Sequence, residues 1–261
     1  MRNLLFKISF EGSSFHGWQQ QDNAVTVQGE LRAAFERLTG EIPNIIGCSR
    51  TDAGVHANEY FFNVRTESTI PVESFPVALM SAKLPGEISV HSCEEVDYDF
   101  NARFDCIKKE YIYIIENTSI ASPFNYKRVL NYKYPMDIER MNEACKYYIG
   151  EHDFSSFCAV GAQVNSKVRT IYDAYVERCG DKVIFHVCGN GFLYNMVRIM
   201  AGTLLYVCSG KISPRDIPSI IESKNRAKAG ITAPPDGLYL NKVYFSGDND
   251  ECLIYRIELR I

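Results

Sequence analysis

The sequence has no apolar run long enough to cross a bilayer, and its histidines show no spacing typical of a metal site. The nine cysteines are an odd number and include no CxxC pair. This usage argues against a disulfide framework or a zinc site and indicates free thiols in a reducing compartment, so we expect a cytoplasmic protein without membrane or metal. The segment Met1 to Lys7 has a charge within its short apolar stretch and no cleavage pattern, so we do not expect a signal peptide.

The chain also has little excess charge. Its 28 Lys and Arg against 32 Asp and Glu give a formal net charge of −4. This balance argues mildly against a protein that holds nucleic acid by overall charge. Basic residues nevertheless cluster locally, and each cluster is either a solvated face or a contact for a polyanion. The clusters are Lys108-Lys109, Lys127-Arg128, Lys167 with Arg169, and Lys224, Arg226 and Lys228.

What the sequence does have is the composition of a globular protein: 261 residues, 46% hydrophobic and 23% charged. Hydrophobic periodicity alternates between strand and helix patterns along the chain. Strands are predicted at 3–10, 42–46, 59–64, 88–96, 108–115, 168–179, 183–188, 238–240 and 252–261, and helices at 26–40, 71–84, 137–149, 189–207 and 214–223.

The order of these elements is similar before and after residue 103. It predicts an α+β fold of two similar halves, 1–103 and 104–261, although the two halves share no obvious sequence identity. In each half we expect an antiparallel sheet with helices packed on one face, and we expect the two sheets to be joined around a central cleft. The first half would contain the Asp52 loop, and the second would contain the Tyr111 strand and the Arg198 helix.

The segment Gly47 to Ala57 is small and polar and lies between two predicted strands. Its two glycines, Gly47 and Gly54, indicate a tight loop with unusual backbone angles. Arg50 and Asp52 stand in its middle, one residue apart. Asp52 is either the cap of an Asx-turn, which is the common role of an aspartate in such a loop, or a catalytic carboxylate presented on a rigid scaffold.

Two further residues favour the catalytic interpretation. Arg198 lies within a predicted helix that is apolar nearly all round, so its guanidinium must reach solvent or meet a carboxylate. Tyr111 lies on a strand behind two lysines. A pocket in which Arg198 pairs with Asp52 and holds it ionised, with Tyr111 as an aromatic wall, accounts for all three residues. Such a site suits chemistry at a glycosidic carbon or a nucleobase.

The motifs around these residues resemble those of TruA-type tRNA pseudouridine synthases. The resemblance is strongest in the segment Ser-Arg-Thr-Asp-Ala-Gly-Val-His-Ala at 49–57, and it covers nearly the whole chain in family order. The other matching blocks are Phe-His-Gly-Trp-Gln at 15–19, Ala-Arg-Phe at 102–104, Tyr-Ile-Tyr at 111–113, Asn-Gly-Phe at 190–192, Met-Val-Arg at 196–198 and Gly-Leu-Tyr-Leu at 237–240.

The resemblance implies isomerisation of uridine to pseudouridine in the anticodon stem-loop of tRNA, at positions 38, 39 and 40. It implies a homodimer, with tRNA bound in a central cleft and reaching across both protomers, and no cofactor. Asp52 would be the essential aspartate and nucleophile, Arg198 its orienting partner, and Tyr111 the ring that stacks on the uracil and relays a proton. Substrate-binding residues would be Arg50, Leu238 or Leu240, Lys108, Lys109 and Gln19.

Several alternatives stay open from the sequence. A pseudouridine synthase with a different RNA target, or an RNA-binding relative without catalysis, would have the same fold. A glycosidase or nucleosidase would use Asp52 as nucleophile, but it needs a second carboxylate that no motif supplies. Ser49 and Glu59 stand where the family more often has other residues.

Overall fold

The computed structural model describes residues 1–161 and 164–246, which form an α+β fold around one mixed sheet. The ten strands are β1 Arg2–Phe10, β2 Ile45–Gly47, β3 His56–Thr66, β4 Ile88–Val96, β5 Cys106–Glu116, β6 Leu130–Asn131, β7 Gly150–Asp153, β8 Val168–Cys179, β9 Lys182–Gly189 and β10 Leu238–Phe245. The five α-helices are α1 Val27–Thr39, α2 Phe75–Ser81, α3 Ile138–Cys145, α4 Met196–Cys208 and α5 Ile217–Glu222.

The sheet has the order β4-β1-β3-β10-β5-β9-β8-β7, with β2 beside β3 and β6 beside β5. Strands from before residue 103 therefore lie on one side, and strands from after it lie on the other. They meet where β3 pairs with β10, and this pairing is parallel. Within each set the neighbouring strands of this order are antiparallel, as predicted. The predicted two joined sheets form one mixed sheet, because the parallel pairing of β3 with β10 connects them edge to edge.

The β3–β10 ladder is short, and side chains extend it. Only Tyr239 and Leu240 of β10 are in register with β3. Beyond them, the Asn58 side chain donates to Asn241 Oδ1 at 2.9 Å, and Glu59 Oε1 accepts from the backbone of Val243 at 3.1 Å. These bonds replace missing ladder bonds, so polar side chains hold the centre of the sheet together.

The helices begin and end at capping residues that the sequence indicates. The Thr26 side chain accepts from the Gly29 backbone at the start of α1, and Gly40 ends that helix in the left-handed region at φ 75°. Helix α4 buries ten of its thirteen residues, which agrees with its apolar sequence.

Some predicted boundaries are wrong. The helix predicted at 189–207 begins only at Met196, because Asn195 adopts a left-handed conformation at φ 59° that interrupts helical geometry. The strand predicted at 42–46 is Ile45–Gly47. The helices predicted at 71–84 and 137–149 are shorter α-helices flanked by 3-10 turns. The predicted strand 252–261 lies outside the described residues.

The longest helices, α1 and α4, have 13 residues each. The described part of the chain contains no candidate membrane-spanning helix.

Candidate active site

Asp52 lies on the turn between β2 and β3, and the loop after β1 supports this turn from behind. The backbone of Trp18 donates to the Thr51 carbonyl at 3.2 Å, and Gly54 donates to the Phe15 carbonyl at 3.1 Å. Gly54 has φ 80°, so the turn uses a conformation that favours glycine. These bonds fix the backbone on both sides of Asp52.

The supporting loop packs through its aromatic residues. The sequence leaves open whether Trp18 packs inside or forms a surface for RNA, and the structure buries it. Its ring stacks on Tyr60, with centroids 4.1 Å apart. Trp18 is therefore part of the wall that carries the Asp52 turn.

Arg198 on α4 pairs with Asp52, as the sequence predicts. Its Nη1 lies 3.3 Å from Asp52 Oδ2, and the Arg198 and Asp52 side chains are 16% and 24% exposed. The same nitrogen donates to Asn195 Oδ1 at 2.6 Å, and Nε donates to the Ala233 carbonyl at 2.8 Å. The left-handed Asn195 and the segment before β10 thus aim the guanidinium at the carboxylate.

Two effects oppose each other on the acidity of Asp52. Burial raises the pKa of its carboxyl above the ordinary value, and the nearby charge of Arg198 lowers it. Burial is the larger effect, so the net shift of the pKa is upward. Arg198 is therefore needed to limit the cost of keeping Asp52 ionised in a largely desolvated position.

Tyr111 on β5 is 6% exposed, and its ring contacts Phe192 edge-on, with centroids 5.1 Å apart. Its hydroxyl lies 3.2 Å from Ser49 Oγ. Burial raises the pKa of Tyr111 well above its usual value. The phenol is consequently protonated at neutral pH and can donate a hydrogen bond.

Asp52 and Tyr111 line the same cavity of about 930 Å³, with walls contributed by residues from before and after residue 103. This volume lies within the range of ligand pockets, about 300–1,000 Å³. Asp52 is the only acidic residue among the described residues of the lining, against four cations: Arg50, Arg103, Lys109 and Arg169. The cavity therefore has an excess of positive charge although the chain as a whole is acidic.

The predicted substrate-binding residues separate into two groups. Arg50, Lys109, Gln19 and Leu238 line the cavity. Leu240 is fully buried and is not part of the lining. The Lys108 ammonium lies over the ring of Tyr244, 4.4 Å from its centroid, and is also outside the lining.

The structure also brings in residues that sequence reasoning missed. Pro235 packs against Gly54, and Tyr113 donates to the Pro234 carbonyl at 2.8 Å. With Ala233, these prolines form a strap that contacts both the Arg198 side chain and the Asp52 turn. The consecutive prolines indicate a rigid turn in the sequence, but they do not indicate what the turn contacts.

Glu59 and Ser49, the two positions that depart from the family pattern, have defined contacts. The Glu59 carboxylate pairs with Lys7 at 2.6 Å and accepts the hydrogen bond from the Val243 backbone described above. Its contacts therefore connect strands of the sheet. Ser49 contacts Tyr111.

Within residues 1–161 and 164–246, His, Cys, Asp and Glu form no group of three or more that could hold a metal ion.

Known proteins are similar to this chain over most of its length. A family model described as tRNA pseudouridine synthase matches residues 8–105 and 144–246. Proteins named tRNA pseudouridine synthase A are similar over 94% of this chain and 100% of their own length: 47% identical in Caldicellulosiruptor saccharolyticus, 45% in Clostridium acetobutylicum and 43% in Brevibacillus brevis.

Among solved structures, an unknown protein from Galdieria sulphuraria aligns with 81% of this chain at 10% identity, with a TM-score of 0.22. That score is too low to indicate a shared fold. The family model and the full-length relatives confirm the resemblance found in the motifs. The chain belongs to the tRNA pseudouridine synthase family and is an isomerase of that family.

Proposed function

We propose that this protein converts uridine to pseudouridine in the anticodon stem-loop of tRNA, at positions 38, 39 and 40. The observation that carries the proposal is the ion pair of Asp52 with Arg198, together with the cavity that Asp52 and Tyr111 both line. The names of the relatives support the tRNA substrate. The tRNA positions come from the resemblance described in the sequence analysis.

The reaction needs the uridine to leave the helical stack and enter the cavity, which costs a few kcal/mol. The bond between C1′ and N1 then breaks, the uracil turns, and C5 bonds to C1′. N1 gains a proton and C5 loses one, so no other reactant is needed. A cavity suits these steps because the detached base must be retained while it turns.

Asp52 is the group that starts the reaction, as an ionised carboxylate. Three routes are open to it: attack on C1′, attack on the base, or removal of a proton from the sugar. Arg198 orients the carboxylate in each route. Tyr111 faces the base and acts as a relay: its phenol oxygen takes the C5 proton while its own hydroxyl proton passes on to solvent, so the phenol is neutral before and after the step.

The cations of the cavity lining hold the RNA backbone. Arg50, next to the aspartate turn, is exposed and helps to displace the target nucleotide or fill its place. Lys109 and Arg169 are placed to meet phosphates. Leu238 packs on the base from the side opposite Tyr111, because it lines the cavity and Leu240 does not.

The larger assembly is part of the same proposal. The halves 1–103 and 104–261 are structurally similar units that enclose a central RNA-binding cleft. Two protomers form a homodimer, and one tRNA contacts both. The protein works in the cytoplasm, where its thiols stay reduced; the eight cysteines of the described residues are all free.

One observation weighs against the hydrolase alternative. A glycosidase needs a general acid as well as a nucleophile. Among the described residues that line the cavity, Asp52 has no acidic partner. An isomerase retains the detached uracil in its cavity and bonds it again to the same sugar, so it does not need a second carboxylate as general acid.

Site-resolved mapping of pseudouridine tests the proposal. Cellular tRNA is mapped with and without this protein, and unmodified tRNA is mapped after incubation with wild type or Asp52→Ala. We expect loss at positions 38–40 in cells, restoration by wild type only, and near-normal tRNA binding by Asp52→Ala.

The other outcomes have distinct meanings. Loss at other tRNA positions would keep the chemistry and overturn the proposed positions. No loss anywhere, with tRNA still bound, would indicate an RNA-binding relative without catalysis. Release of free uracil would indicate the hydrolase, and full activity of Asp52→Ala would overturn the role of that residue.

A further inference from the structure

Phe104 is an exposed aromatic residue in the lining of the Asp52 cavity. It is 77% exposed, whereas Trp18 and Tyr111 in the same lining are almost completely buried. A single exposed apolar ring is common on a protein surface, but this ring lies in the lining of the Asp52 cavity, where a bound RNA would contact it.

The loop that carries Phe104 is tightly held. Asn101 Oδ1 accepts from the backbones of Arg103 and Phe104 at 3.0 and 3.3 Å, and the Asn101 backbone donates to Asp105 Oδ2 at 2.7 Å. These bonds form a compact turn, so the exposed ring is presented in a defined place.

The turn is also anchored to the sheet. The backbone of Ala102 donates to Asn63 Oδ1 at 2.9 Å, and Asn63 on β3 is fully buried. Asn63 in turn donates to Asn3 Oδ1 at 2.9 Å on β1. A buried amide network therefore fixes the exposed ring relative to the strand that follows the Asp52 turn.

Arg103 gives the same spot a positive charge. Its guanidinium carbon lies 5.7 Å from the centroid of the Phe104 ring, and both side chains line the cavity. An aromatic face beside a guanidinium matches a nucleotide, because the base stacks on the ring and the phosphate pairs with the arginine.

We propose that Phe104 and Arg103 form a stacking site for an unpaired nucleobase next to the target uridine. This inference rests on the proposed function. When the target leaves the stack, its neighbour loses a stacking partner, and Phe104 replaces it. The site thereby recovers part of the cost of flipping and sets the register of the RNA relative to Asp52.

The test uses tRNA transcripts with 2-aminopurine placed on either side of the target uridine, in two separate probes. We expect wild type to quench the fluorescence of one probe by stacking. Phe104→Ala should lose the quenching and lower kcat/KM about tenfold, in line with the usual effect of removing a stacking ring. Phe104→Trp should keep both properties.

Phe124→Ala is the matched control, because Phe124 is 84% exposed but lies outside the cavity lining. It should leave kcat/KM and quenching unchanged. Arg103→Ala should weaken binding and reduce its salt dependence by the contribution of about one phosphate contact.

The outcomes separate this inference from the proposed function. Quenching is read without turnover, so failure to form pseudouridine would overturn the function independently. Pseudouridine formation with wild-type kcat/KM and wild-type quenching in Phe104→Ala would overturn the stacking site alone. A change of oligomeric state in Phe104→Ala by light scattering, with quenching intact, would instead assign the ring to a contact between copies of the chain and also overturn it.

Discussion

The hydroxyl of Tyr111 lies 3.2 Å from the Oγ of Ser49, three positions before Asp52 in the chain. The bond connects the strand that carries the aromatic wall with the turn that carries the carboxylate. Since the Ser49 carbonyl also accepts from the buried Tyr60 hydroxyl, the serine itself is fixed in place. Ser49 is therefore a positioning residue for Tyr111.

Ser49→Ala should lower kcat about two- to tenfold, which corresponds to one hydrogen bond. The Tyr111 hydroxyl then has no hydrogen-bond partner among the described residues, so its orientation and the path of its proton become less defined. Single-turnover kinetics on unmodified tRNA, with thermal unfolding alongside, measure the effect. Ser49→Thr keeps a hydroxyl and should keep the rate; an unchanged rate in Ser49→Ala would show that the contact has no part in catalysis.

Arg198→Met should move the acidic limb of the rate–pH profile to higher pH. Burial raises the pKa of Asp52 and Arg198 opposes that rise, so removing the cation lets the pKa climb further. Because the reaction needs ionised Asp52, the rate falls as pH drops through this pKa, and in the variant that fall begins at higher pH. The profile of kcat against pH in both proteins measures the shift.

The same substitution should also cost stability. The Ala233 carbonyl loses the Nε donor of Arg198, and leaving a buried acceptor unpaired costs about 1–3 kcal/mol. Arg198→Lys keeps the charge and should shift the acidic limb less than Arg198→Met. Wild-type stability and a wild-type pH profile in Arg198→Met would together contradict the role given to this ion pair.

The sequence predicted the parts of the site that depend on residue type. An arginine inside an apolar helix must either reach solvent or pair with a carboxylate, because its buried charge is costly when unpaired. The Asp52–Arg198 pair is the second of these two outcomes. Caps such as Thr26 and Gly40 were equally readable, because their effect is local.

The rest depends on tertiary contacts that no local pattern encodes. The helix predicted at 189–207 starts late because Asn195 takes a left-handed conformation and turns its side chain to Arg198. The parallel pairing of β3 with β10 joins segments about 180 residues apart, and only assembly of the sheet reveals it. Likewise, Leu238 and Leu240 are two residues apart on one strand and share a face, so the sequence did not indicate which of them lines the cavity.

Gly17→Ala should damage the site through the turn behind it. Gly17 has φ 88°, and an added Cβ would lie 2.5 Å from the Thr51 carbonyl oxygen, which is too close for any contact. The backbone before Asp52 must then move, so we expect a loss of kcat of tenfold or more and a lower unfolding temperature. Gly40→Ala, which has a similar φ but open space around it, should lower stability without this loss of kcat. Equal kcat values in the two variants would contradict support of Asp52 by the Gly17 loop.

The free energy of unfolding should fall in mild acid because His56 is buried in its neutral form. The Gly12 backbone donates to its Nδ1 at 2.9 Å, and Nε2 lies 3.1 Å from the Asp236 carbonyl, so the buried ring is neutral with its proton on Nε2. Burial lowers the pKa of His56 more than the nearby Glu11 carboxylate raises it. In the unfolded chain this histidine has its ordinary pKa near 6.5, so it binds a proton at a pH where the folded chain does not. The free energy of unfolding therefore falls as pH drops below about 6.5.

Denaturant unfolding at a series of pH values checks this linkage, with His56→Gln as the variant. Each proton taken up only by the unfolded chain contributes a slope of up to about 1.4 kcal/mol per pH unit, so the variant should lose less stability between pH 7 and pH 5 than wild type. The pKa of His186 is also lowered by burial, so His186→Gln should flatten the curve in addition, and the double variant should be the flattest. A wild-type slope in His56→Gln would mean that the ring accepts its proton in the folded state, and that the bond from Gly12 does not fix it as neutral.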